Sequence, residues 1–368
     1  MKFTCSQVSL MKAVNMVSKA VSTKTTVPAL KGILLTVSGK QLILTASDLD
    51  FSVVTRIDIV EAEEGSIIVS AKIFSEIIRK LPNAMIHAYS DEKSKFTINC
   101  LDSEFNIVGA AAEEYPSVAT VEDNGSFLFN NKDFRQLVSR TGFAASIDEK
   151  KGVLVGCLLK LEDGIAEMVS LDGFRMAIAK TETNADKNAT VIIPAKIISE
   201  IEKLLSEQEV CENVNVTIGD KRIKFVAGDV VMVSRLLEGE FIRYKDILPR
   251  MYKTRVVVAR EELLSSMERA SLFVSEGKNN LIKLKIDENG IQISSRNDTG
   301  NVNELVNAEL EGDSIEIGFN SKYMIDVLKV VDDEELALEM TNSLSACMVK
   351  QVEGDSYSFL VLPVRLSV

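Results

Sequence analysis

The chain has 368 residues, 46% hydrophobic and 26% charged, a composition that excludes disorder at a length that points to two or three domains. Its formal charge of −12 weighs against a protein that grips nucleic acid by broad attraction. The opening MKFTCSQVSLMKAV interrupts every apolar stretch with polar residues and no run is long enough to span a bilayer, so a cytoplasmic protein is expected.

The first predicted element is a helix over 7–20, with Leu10, Val14 and Val17 at helical spacing. LLTVSGKQLILTASDLD (34–50) then reads as strand, Gly-containing turn and strand, closing on a polar corner at Asp48. GSIIVSAKIFSEIIRKL (65–81) is a β-branched strand, a small residue, Lys72, and a helix with Ile73, Phe74, Ile77, Ile78 and Leu81 on one stripe.

The series then starts again. A helix over 131–142 carries Phe134, Leu137, Val138 and Thr141, and LLKLEDGIAEMVSLDGF (158–174) repeats the hairpin with its corner at Asp172. ATVIIPAKIISEIEKLL (189–205) repeats the strand, Lys196 and the helix, with Ile197, Ile198, Ile201, Leu204 and Leu205 as the stripe. A third round follows: a helix over 260–271, LKIDENGIQISSRNDTG (284–300) with its corner at Asn297, and GDSIEIGFNSKYMIDVL (312–328) with Lys322.

The lysines are 124 and 126 residues apart and the corners 124 and 125, so two separate landmarks share one period. The chain is a triplicate of a unit of about 120 residues, each an α+β domain with two amphipathic helices packed on antiparallel sheet. The expected domains are 1–122, 126–249 and 252–368.

Little in the sequence points to chemistry. Cys5, Cys100, Cys157, Cys211 and Cys347 are scattered singly, which indicates neither a disulfide framework nor a thiolate zinc site. His87 is the one histidine, so a two-histidine metal site is excluded, and it lies in the strand-like MIHAYS with no serine motif or carboxylate pattern around it. Neither GxxxxGK[ST] nor GxGxxG occurs, and no cofactor or metal is expected. Asp48, Asp50, Asp172 and Asp298 could be imagined as general acid and base, but recurrence in three corners argues for turn-capping, so no catalytic residue is assigned.

Charge is unevenly placed. Helix windows 7–20, 71–81, 131–142, 195–205, 260–271 and 321–330 hold 14 Lys and Arg against 8 Asp and Glu, while the chain as a whole is acidic. Either helices simply favour lysine, or repeated helices present a basic face that passes DNA without adhering to it.

The opening MKFT, TTVPALKGILL (25–35), SLDGFRMA (170–177), EGEFIRYKDILP (238–249), IGFNSKYMIDVL (317–328) and the terminal LPVRL (362–366) together resemble the bacterial DNA sliding clamps, the β subunits of DNA polymerase III, over the whole chain. The resemblance implies a non-catalytic processivity factor: a head-to-tail homodimeric ring around duplex DNA, helices lining the hole, loaded by an ATP-dependent clamp loader. Its implied partners are duplex DNA without sequence preference, a second copy, the replicative polymerase, the clamp loader and other replication and repair proteins. A repeat scaffold that binds peptides without encircling DNA is the alternative.

Family positions carry over as follows. DNA contacts fall on Lys24 and Lys72, and repeat logic adds Lys196. Where the family can place a glutamine and two tyrosines facing DNA, this chain has Asp148, Gly152 and Val153, with Lys150 and Lys151 nearby as substitutes. Dimer contacts fall on Phe105 and Ile107 against Leu272 and Phe273.

The partner-peptide groove falls on Leu154, Leu171, Gly173, Phe174, Arg175, Met176, Ile242 and Ile247. Copy three supplies Tyr323, Leu360, Leu362, Pro363, Val364, Arg365 and Leu366. Leu171, Ile242 and Asp246 stand where threonine, proline and arginine are frequent, which implies a more apolar groove with one acidic rim. Phe359 to Val361 should form the last strand, with Pro363 holding the following residues out of the ladder, and Ser367 and Val368 extend past the usual final leucine.

Overall fold

A computed structural model describes residues 1–22, 24–122, 124–184, 187–207, 211–274 and 280–366; Ser367 and Val368 lie outside the described residues. Copy one runs β1 (Lys2–Ser6), α1 (Gln7–Ser18), β2 (Gly32–Ser38), β3 (Gln41–Ser47), β4 (Phe51–Asp58), β5 (Ala62–Glu63), β6 (Gly65–Ser70), α2 (Ala71–Lys80), β7 (Met85–Ser90), β8 (Lys95–Cys100) and β9 (Ser103–Val108). Copy two runs β10 (Gly125–Asn130), α3 (Asn131–Gly142), β11 (Gly156–Glu162), β12 (Ile165–Leu171), β13 (Arg175–Glu182), β14 (Ala189–Pro194), α4 (Ala195–Glu207), β15 (Asn213–Ile218), β16 (Arg222–Ala227) and β17 (Val230–Arg235). Copy three runs β18 (Thr254–Ala259), α5 (Arg260–Ser271), β19 (Leu281–Asp287), β20 (Gly290–Asn297), β21 (Gly300–Val306), β22 (Ala308–Gly312), β23 (Ile315–Asn320), α6 (Ser321–Lys329), β24 (Glu335–Met340), β25 (Cys347–Gln351) and β26 (Tyr357–Val361).

Each helix falls on one of the six predicted windows. Local chemistry starts them: Ser6 caps α1 by accepting from the Ser9 N–H at 3.1 Å, and Asn320 caps α6 by accepting from the Lys322 N–H at 3.0 Å. Leu10, Val14 and Val17 of α1, and Phe134, Leu137, Val138 and Thr141 of α3, are buried as the spacing requires. The α2 stripe needs one correction, because Ile73 is exposed while Phe74, Ile78 and Leu81 are buried. Position 73 stands off the face set by 74, 78 and 81, and Phe74 packs edge-on to Phe96 at 6.1 Å, which in turn meets Phe3 at 6.3 Å.

Among the described residues the strand pairings are antiparallel, and two of them cross the copy boundaries. Strand β17 of copy two pairs with β4 of copy one, Val233 opposite Ser52, and β26 of copy three pairs with β13 of copy two, Leu360 opposite Met176. The chain therefore divides into two compact units, Met1–Lys132 with Glu200–Leu236, and Asp133–Ser199 with Leu237–Val368. The first holds the sheets β5-β1-β7-β8-β9 and β10-β15-β16-β17-β4-β3-β2-β6. The second holds β14-β11-β12-β13-β26-β25-β24-β18-β22 and β21-β20-β19-β23.

The three corners are one structure. Asp48 Oδ1 accepts from the N–H groups of Asp50 and Phe51, Asp172 Oδ1 from those of Phe174 and Arg175, and Asn297 Oδ1 from those of Thr299 and Gly300. Their side chains thus cap turns. The residue after the corner in copy two is Gly173, with φ 94°, but in copy one it is Leu49, with φ 81° and half its surface exposed. A side chain in this left-handed region costs about 1–2 kcal/mol, against roughly 0.5–1 kcal/mol for the extra unfolded freedom of glycine. Leu49→Gly is therefore expected to raise the thermal unfolding temperature of the chain; no rise would mean that Leu49 makes a compensating contact.

Cys5, Cys100, Cys157 and Cys347 are buried, and burial pushes the thiols of Cys5, Cys157 and Cys347 up to about 12, which keeps them unreactive. Cys211 is half-buried. His87 Nδ1 lies 2.9 Å from the Thr4 hydroxyl, a structural hydrogen bond between neighbouring strands. No helix among the described residues is long and apolar enough to cross a membrane.

Candidate functional site

The β12–β13 corner, α6 and the chain after β26 meet in the second compact unit. Arg175 joins them. Its Nε donates to Asp172 at 3.1 Å, one terminal nitrogen to Asp326 of α6 at 2.6 Å, and the other to the Phe143 carbonyl at 2.8 Å. The guanidinium also lies over the Tyr323 ring at 4.7 Å and the Phe143 ring at 5.1 Å. Every branch of this side chain is engaged, so it holds the corner against the helix.

Phe174 is 55% exposed and stacks on Tyr323, ring centres 6.2 Å apart. Burial, then the Asp172 charge, raises the Tyr323 phenol above its usual range and keeps it neutral. The backbone N–H of Leu362 donates to the Phe174 carbonyl at 2.9 Å, which brings the terminal segment alongside the corner.

The same unit holds a buried apolar floor of Leu158, Val169, Leu171, Met176, Met348 and Leu360, with Leu154 packed against it. Ile242, Ile247 and Leu362 are exposed apolar side chains on the same unit, and Asp246 is exposed beside Ile247. Tyr244 packs on the same floor and donates to the Glu167 carboxylate; burial, then that bond, push its phenol up. Such a surface, apolar with a few fixed polar groups and an adaptable methionine, suits the anchors of a short peptide.

The terminal residues divide. The β26 ladder stops at Val361, before Pro363. Val364 is bridged to Gly318, donating its N–H to that carbonyl at 2.8 Å, and Leu366 packs towards Gly318 and lines a separate cleft. Arg365 is exposed. Phe143, Asp326, Tyr244 and Met348 were not singled out from the sequence, since each joins through contacts distant along the chain.

Lys24, Lys72, Lys150 and Lys196 are all exposed, and none carries an ion pair within 4.0 Å among the described residues. Lys322, the third repeat lysine, is exposed likewise. Several other helix cations are neutralised locally: Arg79 and Lys80 by Glu76, Lys203 by Glu200, Arg260 by Glu261, Arg269 by Glu304 and Lys329 by Glu268. The helical charge surplus is thus carried by fewer residues than the count implies. Asp148 caps the following turn by accepting from the Lys150 N–H at 3.1 Å, and Gly152 supplies φ 57° there. Lys151 turns towards the groove, with Nζ 2.6 Å from the Asp172 carbonyl and 5.5 Å above the Phe174 ring.

Two sheet edges complete the picture. β9 is the last strand of the five-stranded sheet, with Phe105 37% exposed and Ile107 half-buried. In the other unit β21 ends the four-stranded sheet, with Phe273 against Gly300 and Leu272 75% exposed nearby in sequence. Each edge presents backbone groups able to pair with another strand. Among the described residues no cluster of three or more His, Cys, Asp or Glu could hold a metal ion.

Three family models match the chain in order: the N-terminal domain of the DNA polymerase III beta subunit over residues 1–119, its central domain over 129–242, and its C-terminal domain over 245–365. The beta sliding clamp of Bacillus subtilis is 33% identical, covering 99% of this chain and 100% of that one, and that of Halalkalibacterium halodurans is 34% identical with the same coverage. Among solved structures, the DNA polymerase sliding clamp of Bacillus subtilis superimposes with a TM-score of 0.94 at 32% identity, covering 100% of both chains. The Pseudomonas aeruginosa sliding clamp bound to griselimycin gives a TM-score of 0.93 at 30% identity, again over 100% of both. The chain belongs to the family of DNA polymerase III beta subunits, the beta sliding clamps.

Proposed function

We propose that two copies of this chain close head to tail into a ring around duplex DNA, and that the groove at Phe174 and Leu362 tethers DNA-handling proteins to it. As a beta sliding clamp the protein is a processivity subunit without a catalytic site of its own. The partners are the replicative polymerase, an ATP-dependent clamp loader and other replication and repair proteins carrying a short apolar peptide, and the protein works in the cytoplasm, where the DNA is. The division into clamp domains 1–122, 126–249 and 252–368 is part of the same reading.

The observation that carries the tethering role is the apolar floor capped by Tyr244, with exposed Phe174, Ile242, Ile247 and Leu362 and the terminal segment on the same unit. Ring closure is supported by the two sheet edges, because β9 of one copy and β21 of the next would complete a nine-stranded sheet, the size of the largest sheet within the chain. Phe105 and Ile107 would then face Leu272 and Phe273 across the joint. Lys24, Lys72, Lys150 and Lys196 would touch phosphates, which holds the duplex without reading its sequence.

The test is retention on DNA. With clamp loader and ATP, the protein should remain on a closed circle through gel filtration and be lost once the circle is cut. Retention on the cut molecule, with no block at its ends, would rule out topological binding and favour a scaffold that binds peptides without encircling DNA.

A further inference from the structure

The repeat has an exit segment that behaves differently in copy three. In every copy the chain leaving the last strand bridges the same sheet position: Ala110 donates to the Ile68 carbonyl at 2.9 Å, Leu237 to Ile192 at 2.9 Å, and Val364 to Gly318 at 2.8 Å. In copy one the segment continues over the sheet and buries Tyr115 against Ile68, with Leu34 packed alongside. In copy two it buries Tyr244 against Ile192, Leu158 and Val169.

The row beneath these segments runs Ile68, Leu34, Thr45 and Val54 in copy one, and Ile192, Leu158, Val169 and Ile178 in copy two. In copy three the equivalent row is Gly318, Lys283, Ser294 and Asn303. Val364 and Leu366 of the exit segment cover its Gly318 end, together with Leu281. What remains is a cleft of about 610 Å³ whose lining includes Lys283, Lys285, Ser294, Arg296, Glu316 and Leu366.

Charge and chain precedent point to one occupant. Lys283 pairs with Glu316 at 2.7 Å and Lys285 with Asp287 at 3.1 Å, which leaves Arg296 exposed with no carboxylate partner among the described residues. The segments that cover this position in copies one and two carry carboxylates and aromatic rings: Glu113, Glu114 and Tyr115 in one, Glu238, Glu240, Phe241 and Tyr244, with Arg243 among them, in the other. Among the described residues no aromatic side chain lines the cleft, and these offer no platform for stacking the bases of single-stranded nucleic acid.

We propose that the outer face of β19, β20, β21 and β23 is a second docking surface, which takes an extended acidic segment with an aromatic side chain from a partner protein. The segment lies across Lys283 and Ser294, sets its carboxylates on Arg296 and the two lysines, and places its ring in the cleft beside Leu366. This surface is separate from the groove at Phe174, so one clamp holds one partner at both places or two partners at once.

A labelled peptide AAAEEYPS, the sequence of residues 110–117, titrated into the full-length protein tests this by fluorescence anisotropy. Saturable binding is expected, weakened about tenfold in the Lys283→Gln, Arg296→Gln double variant and to a similar extent for AAAKKYPS, and weakened by added salt. Phe174→Ala should leave it unchanged. With a photoreactive phenylalanine in place of the peptide tyrosine, crosslinks should map to residues 281–303 or to Leu366 in the unmodified protein. No saturable binding, equal binding of the two peptides, retention in the double variant, loss in Phe174→Ala, displacement by a thymidine oligonucleotide, or crosslinks elsewhere would each overturn the proposal.

Discussion

Arg175→Ala is expected to destabilise the chain by about 3–5 kcal/mol, the range for removing one partner of a buried ion pair. The Arg175 side chain is 10% exposed and holds Asp172 and Asp326, themselves 13% and 28% exposed. Its loss leaves both carboxylates without their counter-charge and the Phe143 carbonyl without its donor. Lysine should rescue little, since a single ammonium cannot reach three acceptors while lying flat on Tyr323. Denaturant unfolding followed by tyrosine fluorescence would measure the loss, and a cost below about 1 kcal/mol would mean that water replaces the guanidinium without penalty.

Removing residues 362–368 should lower affinity for an apolar partner peptide at least about a hundredfold, more than the roughly 1.4 kcal/mol of a tenfold change, and leave the dimer intact. The cut falls after the last ladder residue, Val361, so β26 keeps its pairings with β13 and β25. It removes the Leu362 wall and its bond to Phe174, and also the Val364 bridge to Gly318. The edge strands β9 and β21 are untouched. Sedimentation and peptide titration on the same sample separate the effects: equal loss of both would mean that the tail supports the fold rather than the groove.

Local features were legible in the sequence and distant ones were not. Helix stripes such as Ile197, Ile198, Ile201, Leu204 and Leu205 are set by spacing within a few turns, and all five are buried. The Asp48, Asp172 and Asn297 corners were readable because an Asx turn closes within three residues. Ladder partners such as Ser52 and Val233 share no local signal, so the merging of copies into common sheets was hidden. Charge counting failed for a related reason. It scored Arg269 as a free helix cation, whereas a carboxylate on β21, Glu304, neutralises it. In the groove, the resemblance supplied Phe174, Arg175 and Leu362, but the turn of Lys151 from the predicted DNA side onto the Phe174 ring exists only in three dimensions.

The shared sheets also limit how the chain can be cut. A fragment ending near residue 122 would lose β17 from the side of β4, baring the ladder at Phe51 to Val54 that carries the β-branched Val53 and Val54. A fragment starting near residue 252 would likewise strip β13 from β26 and bare Tyr357 to Val361. Such raw edges recruit other strands, so isolated repeats should aggregate where the intact chain does not. Triplication has therefore made three similar sequences into one inseparable polypeptide, and dissecting it calls for point substitutions rather than isolated domains.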